Sequence, residues 1–474
     1  MVRDEELEMT RVSHPRTQFI RGAQSLIWRM QTLRFGASAS AAKRQAQILS
    51  ILFIMSFALD FKGSEGGTVI QYVMAIVNTL AFALLALQYR LVLPRYGLMA
   101  FVFWGWCSFL LVGSVGAFIN DVPLGQYIRV IYPYVLFVEG FLVAYWVSRD
   151  WRGAETVAHG LVFAAIISFL FTVWWGFHFS GQALQTIRYQ ILSSLTPFLI
   201  VYSGFRLLFL RRRRARSLAI LAMCVSITAF SVTRGPLLAV GFTGLMLLVA
   251  LIWSFFRSSS LSAIRMVLRA SIGGVLLFGI FIETFLIIAP ETLQRWSQRT
   301  FGDAHLATFW TRVAAAVGQW EQLSNNPVGW VVGQGFGHQY QYAQSFASLV
   351  YPYVTANTFV QPMWYPGEFM WVTPLYYGGL ISGTIAILVL IFSTVYVFRV
   401  LVAMIGTRSW DNESIWPLWV GVLGFSTVLG LGFTANPFII RLSAMFLGLA
   451  LGVVGGLCPL TPRGNRSQQK KQTI

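Results

Sequence analysis

Residues 371–398 read WVTPLYYGGLISGTIAILVLIFSTVYVF, without one charged side chain. A helix rising 1.5 Å per residue needs about twenty residues to cross ~30 Å of hydrocarbon, so this run is long enough to span a bilayer. A helix that is apolar on every side has no face to offer water. The stretch therefore predicts a membrane protein built from helices, the elements that satisfy their own backbone groups in lipid.

Working outward, apolar runs of the same kind recur at about residues 46–60, 68–88, 97–118, 128–147, 157–179, 190–209, 218–232, 236–256 and 269–289, and then at 415–433 and 436–458. With 371–398 they make about twelve expected transmembrane helices, an all-α polytopic architecture. Composition agrees, because 56% hydrophobic against 11% charged residues is too apolar for a water-soluble domain of 474 residues. The expected organisation is a basic segment over 1–45, nine helices over 46–289, a large connection over 290–370 containing short helices, three helices over 371–458 and a tail over 459–474.

Basic residues orient the chain. All Lys and Arg except Lys62, Arg129, Arg188, Arg234, Arg295, Arg299, Arg312 and Arg441 lie before the first span, after the last, or in and beside alternate connections. By the positive-inside rule both termini are cytoplasmic and the 290–370 connection is external. The residues before the first span are too many and too polar for a cleavable signal, so the amino terminus is expected to stay attached. A net charge of +18 suggests nucleic acid at first, yet its densest cluster, Arg211 to Arg214 with Arg216, abuts an apolar run and suits anionic lipid heads instead. Cys107, Cys224 and Cys458 are too scattered for a metal site or a disulfide framework.

No internal repeat suggests the paired halves of many transporters. The organisation is asymmetric, and a connection as long as 290–370 is usually functional. Within it, Leu306, Trp310, Val313, Val317 and Trp320 recur at three and four, which predicts an amphipathic helix from Ala304 to Leu323. Asn325, Asn326 and Pro327 stop that helix, and Gly329, Gly333, Gly335 and Gly337 predict a tight irregular turn. These glycines lack the strand-helix setting and the final glycine of a nucleotide fingerprint. They read as a turn that aims His338.

A cation at the external end of an apolar span needs an anionic partner or water. Arg188, in Thr186-Ile187-Arg188-Tyr189-Gln190, and Arg234, in Ser231-Val232-Thr233-Arg234-Gly235-Pro236, are expected to face one external cavity. Guanidinium forks match phosphate oxygens, so the pair suits a diphosphate. Taken singly, each also fits a helix carboxy-terminus or a side chain reaching toward lipid heads.

Three features resemble the O-antigen ligase and polymerase superfamily, bacterial multi-span enzymes that transfer glycans from polyprenyl diphosphate carriers at the outer face of the inner membrane. They are the Thr233-Arg234-Gly235 turn, the late loop with Arg312, Trp320, Asn326-Pro327-Val328-Gly329 and Gly333-Gln334-Gly335, and the span entrance Glu368 followed by Tyr377-Gly378-Gly379-Leu380-Ile381-Ser382-Gly383. The similarity covers roughly residues 185 to 385. Ligases of the superfamily usually carry a His-Asn pair near the end of the loop, where this chain has Pro366-Gly367-Glu368. The resemblance therefore implies a polymerase, with a ligase acting on lipid A core as the alternative. It implies undecaprenyl-diphosphate-linked glycan donor and acceptor, a surrounding membrane, a chain-length regulator as possible partner, no nucleic acid, and Arg312 beside Arg188 and Arg234 on the diphosphate.

The chemistry can be argued independently. A diphosphate leaves as a stabilised anion, so positive charge at the departing group matters more than a general acid. The acceptor hydroxyl needs a base. Glu368, alone among the acids of the loop at a span entrance, is the first choice, although a solvated carboxylate favoured by the helix dipole explains it too. His338 is the second. No Asp-x-Asp pair exists to hold a metal, so arginines would take that role, no cofactor is expected, and attack opposite the leaving group would invert the anomeric centre. Trp364, Tyr365 and Trp371 suit sugar stacking and an interfacial aromatic belt equally. Two rival readings stay open. In one, Glu139 and Glu283 serve a transporter; in the other, the aromatic loop docks a partner of a non-catalytic scaffold.

Overall fold

The computed structural model describes residues 36–59, 68–179, 187, 190–209, 214–258, 279, 283, 294, 304–350, 362–363, 366–367, 369–406 and 415–458. Among them every long element is an α-helix, and extended pairing is confined to an isolated bridge between Tyr340 and Met363. The helices are α1 (Gly36–Met55), α2 (Thr68–Gln88), α3 (Gly97–Ile119), α4 (Leu124–Val147), α5 (Trp151–Phe179), α6 (Thr196–Phe209), α7 (Arg214–Ser231), α8 (Arg234–Ser258), α9 (Ala304–Ser324), α10 (Gly329–Val332), α11 (Ala347–Val350), α12 (Thr373–Gly406), α13 (Trp416–Leu431) and α14 (Arg441–Leu457). The chain divides into two compact units, Met1–Ile48 and Leu49–Ile474. The site described below lies wholly in the second.

Among the described residues seven helices, α2, α3, α4, α5, α7, α8 and α12, are long and apolar enough to cross a membrane, and α6, α13 and α14 are shorter apolar helices. Ile76, Leu80 and Leu87 of α2 and Leu111 and Phe118 of α3 are exposed. So much apolar surface in continuous stripes is stable against lipid rather than water. The chain is an all-α, multi-pass membrane protein. Of the expected span over 269–289 only residues 279 and 283 are described, both helical.

Local chemistry moves several helix ends from their expected places. Helix α1 covers Gly36–Met55 and so includes residues before the apolar run, because the small residues there, ASASAA, are themselves compatible with a helix. Helix α6 starts late, at Thr196, with Pro197 in its first turn. Asn436 accepts a hydrogen bond from Phe438 N at 3.0 Å and holds a short 3-10 turn, Pro437–Ile439, so α14 begins only at Arg441.

Close backbone contact organises the middle of the bundle. On α14, a Cβ at Gly448 would collide with Phe137 O and one at Gly452 with Phe141 O, while a Cβ at Gly140 of α4 would lie 2.6 Å from Met445 O. Glycines four apart therefore let α4 and α14 meet backbone to backbone, where lipid offers little hydrophobic gain from association. An aromatic cluster caps this contact. Trp106 Nε1 donates to Tyr134 O at 3.0 Å, and Tyr134 stacks on Phe438 with ring centroids 4.6 Å apart.

Candidate functional site

The amphipathic period over 304–323 yields α9, and Asn326 turns the chain out of it. Its Oδ1 accepts from Val328 N at 3.1 Å and Gly329 N at 3.2 Å. Beyond α10, Gly333, Gly335 and Gly337 have φ of +76°, +86° and +83°, the left-handed region that side chains resist. The alternation makes a ribbon thin enough to thread between three helix ends. A Cβ at Gly333 would overlap the Tyr377 carbonyl, one at Gly335 would overlap the Ala117 backbone, and one at Gly337 would lie 2.8 Å from the Gln126 carbonyl carbon. Gly379, with φ of +70°, kinks α12 where Val331 and Gly333 press on it.

Hydrogen bonds fix this ribbon. Gln334 N donates to Tyr376 O at 2.7 Å, Gly335 N to Tyr377 O at 3.1 Å and Phe336 N to Gly113 O at 3.3 Å. The buried Gln334 side chain donates to Gln322 O at 3.1 Å and accepts from Asn326 at 3.4 Å, and its carbonyl accepts from Asn120 at 3.2 Å. The Phe336 ring fills the space over Gly113, with Phe109, Tyr134 and Tyr377 centroids 5.2, 5.3 and 5.2 Å away.

His338 ends the ribbon. Its Nδ1 lies 2.8 Å from the Tyr376 hydroxyl, which also meets Gln322 Oε1 at 2.8 Å and Gln339 O at 2.9 Å. Tyr376 has one proton to give, and the Gln339 carbonyl can only accept. If the hydroxyl gave that proton to His338, it would face the carbonyl oxygen with no hydrogen between them. With Nδ1 as the donor to the Tyr376 oxygen, the hydroxyl proton serves one of the two carbonyl oxygens, and Nε2 carries the ring's lone pair in that tautomer. Burial lowers the imidazole pKa below its usual 6.5, partly offset by the Gln339 backbone, so the ring is neutral at pH 7. A neutral imidazole with Nε2 unprotonated can accept a proton.

A second set of contacts surrounds Pro366-Gly367 and Phe369 to Trp371. Gly367 O accepts from Asn436 at 3.1 Å, and a Cβ at Gly367 would lie 2.6 Å from Gln319 Nε2 on α9. Met370 packs on Gly432, and the Trp371 and Phe433 rings sit 5.8 Å apart. Across the turn after α13, a Cβ at Gly235 would lie 3.0 Å from Thr434 Oγ1. The turn over 431–436 thus touches the segment before α12 on one side and the start of α8, with half-buried Arg234, on the other. Arg312 is half-buried on α9, seven residues before Gln319 and so on the same face, about 10 Å along the axis.

Of the residues expected at a site, His338, Arg234 and Arg312 are described, and Arg188 and Glu368 lie outside the described residues. His338 stands in the ribbon cluster, whereas Arg234 stands by the 431–436 turn. Tyr376, Gln322, Gln319 and Asn436 were not among the candidates. Tyr376 adjoins the Tyr377-Gly378-Gly379 motif and so carried a local signal. The amides carried none, because their partners are distant in sequence. No protein-family model matches the chain, and no curated protein matches it either.

Proposed function

We propose that the chain is a membrane glycosyltransferase that joins undecaprenyl-diphosphate-linked oligosaccharide units into a polysaccharide at the outer face of a bacterial inner membrane. The observation that supports this reading is the pose of His338, whose Nδ1 lies 2.8 Å from the Tyr376 hydroxyl at the end of a ribbon clamped to the helix ends. Arg234 and Arg312, with Arg188, hold the donor diphosphate. The acceptor hydroxyl attacks the anomeric carbon, the bond from that carbon to the diphosphate breaks, and the hydroxyl proton passes to the base. The lipid diphosphate leaves as an anion and needs no proton. Glu368, next to Gly367, is the first choice of base and His338 the second.

Purified protein in nanodiscs, given a lipid-diphosphate-linked oligosaccharide from its own organism, tests the reading. Lengthened lipid-linked products that disappear in Arg234→Ala would support a polymerase. Transfer to lipid A core would select the ligase. Intact substrate with no product would remove the enzymatic reading. Between bases, loss in Glu368→Gln with activity kept in His338→Gln would return the role to Glu368.

A further inference from the structure

The contacts around Gly367 leave two N–H donors without an acceptor. Gln319 Nε2 and Trp371 Nε1 are both shielded from solvent and have no hydrogen-bond partner among the described residues. Gln319 is 1% exposed, and its amide lies against Gly367, whose carbonyl is already taken by Asn436. Trp371 lies four residues beyond Gly367 with its ring toward Phe433. A buried donor left unpaired costs about 1–3 kcal/mol, so native structures rarely keep one without a reason.

We infer that Gln319 and Trp371 form a subsite for the first sugar of the lipid-linked donor, and that this sugar's hydroxyl or N-acetyl oxygens supply the absent acceptors. The inference rests on the glycosyltransferase reading and adds to it the group recognised beside the diphosphate. Both orphan groups are donors, so their ligand must present oxygen lone pairs. Both are uncharged and one belongs to an aromatic ring, which suits a sugar with its polar edge and apolar face. A diphosphate instead calls for guanidinium, and Arg312 stands two helical turns from Gln319 on the same face of α9. Arg234 stands across the 431–436 turn from Gly367.

The full chain in nanodiscs is titrated with undecaprenyl diphosphate and with undecaprenyl-diphosphate N-acetylglucosamine. Wild type is expected to bind the sugar-bearing lipid about tenfold more tightly, the worth of one to two hydrogen bonds. Gln319→Leu and Trp371→Phe should each remove most of that difference and leave the bare lipid's affinity unchanged. Melting of the empty Gln319→Leu protein should stay level or rise, because an unpaired donor has gone. Should Gln319→Leu fail to fold, Gln319 is structural and the inference is overturned for it, and Trp371→Phe decides the subsite. Variants that keep the tenfold preference overturn the proposal. Wild type that binds both lipids equally overturns the subsite and spares the glycosyltransferase reading. Wild type that binds neither removes both.

Discussion

The ribbon from Gly329 to His338 and the segment from Pro366 to Trp371 both abut the start of α12, yet they treat polar atoms in opposite ways. In the ribbon, Gln334 uses its backbone N–H, its carbonyl and both ends of its side chain in hydrogen bonds. Beside Gly367, Gln319 and Trp371 keep buried donors with nothing to receive them. A side chain paired at every polar group is held in one shape, as Gln334 is, while the Tyr377 hydroxyl against Phe336 is buried without a partner among the described residues. Unpaired buried donors are costly to keep, and sites are where proteins keep them. The first region is scaffolding that ends in one reactive side chain; the second is a surface left ready for something else.

The contrast breaks most severely at Gly335. Alanine there would need a left-handed backbone, at about 1–2 kcal/mol, and would drive its Cβ into the Ala117 backbone. We expect a loss above about 4 kcal/mol, in the exceptional range for point mutants, read as a collapse of folded protein in thermal unfolding. Gly125→Ala, with open space around the new methyl group, should melt within about 1 kcal/mol of wild type. Equal melting of the two variants would show that the ribbon is not clamped.

The glycine spacing made a turn legible in the sequence, and the three-and-four period made α9 legible almost to its ends. The ribbon's docking place was not legible. Gly113, Gly116 and Ala117 sit more than two hundred residues earlier in a helix that reads as an ordinary membrane span, and only the folded chain shows which of its small residues are gaps. The same holds for Gln319 and Asn436, whose significance depends on Gly367 lying between them. Arg234 could be singled out because a cation at the edge of an apolar run is costly wherever the chain goes. Arg188, Glu368 and all of the run at 269–289 but residues 279 and 283 lie outside the described residues.

Arg234→Ala probes the second region and should have the next largest effect. Turnover of the lipid-linked substrate should fall about a hundredfold, as loss of a donor at a developing anion typically costs, while thermal unfolding shifts little at this half-buried position. A fall in both together would make Arg234 a part of the scaffold.

His338, at the end of the ribbon, yields a smaller, pH-dependent effect. Its pKa is lowered by burial, so the free base persists below the usual 6.5, and the acid limb of turnover against pH should lie under that value. The linkage to stability runs the same way. The unfolded ring binds a proton first as pH falls, so the stabilisation of the neutral buried ring is complete above about 6.5 and is lost on going down through the lowered pKa. Tyr376→Phe releases Nδ1 from the hydroxyl and should lower turnover about tenfold while moving the acid limb. An unmoved limb in both Tyr376→Phe and His338→Gln would pass the proton to Glu368.

The smallest expected effect falls at Glu139, on α4 beyond Tyr134. Its Oε2 is buried without a hydrogen-bond partner, the same kind of orphan as Gln319. If unpaired buried atoms always marked the working site, Glu139 would belong to it, and a carboxylate within a membrane helix is what a transporter would use. The glycosyltransferase reading separates the two, because Glu139 sits beside Gly140, where α4 packs on Met445 of α14, and not near Gly367. Glu139→Gln should therefore leave polymer formation within about twofold of wild type, below ~0.5 kcal/mol. A loss matching that of Arg234→Ala would place the working group inside the bundle, and solute flux in proteoliposomes would then become the activity to measure.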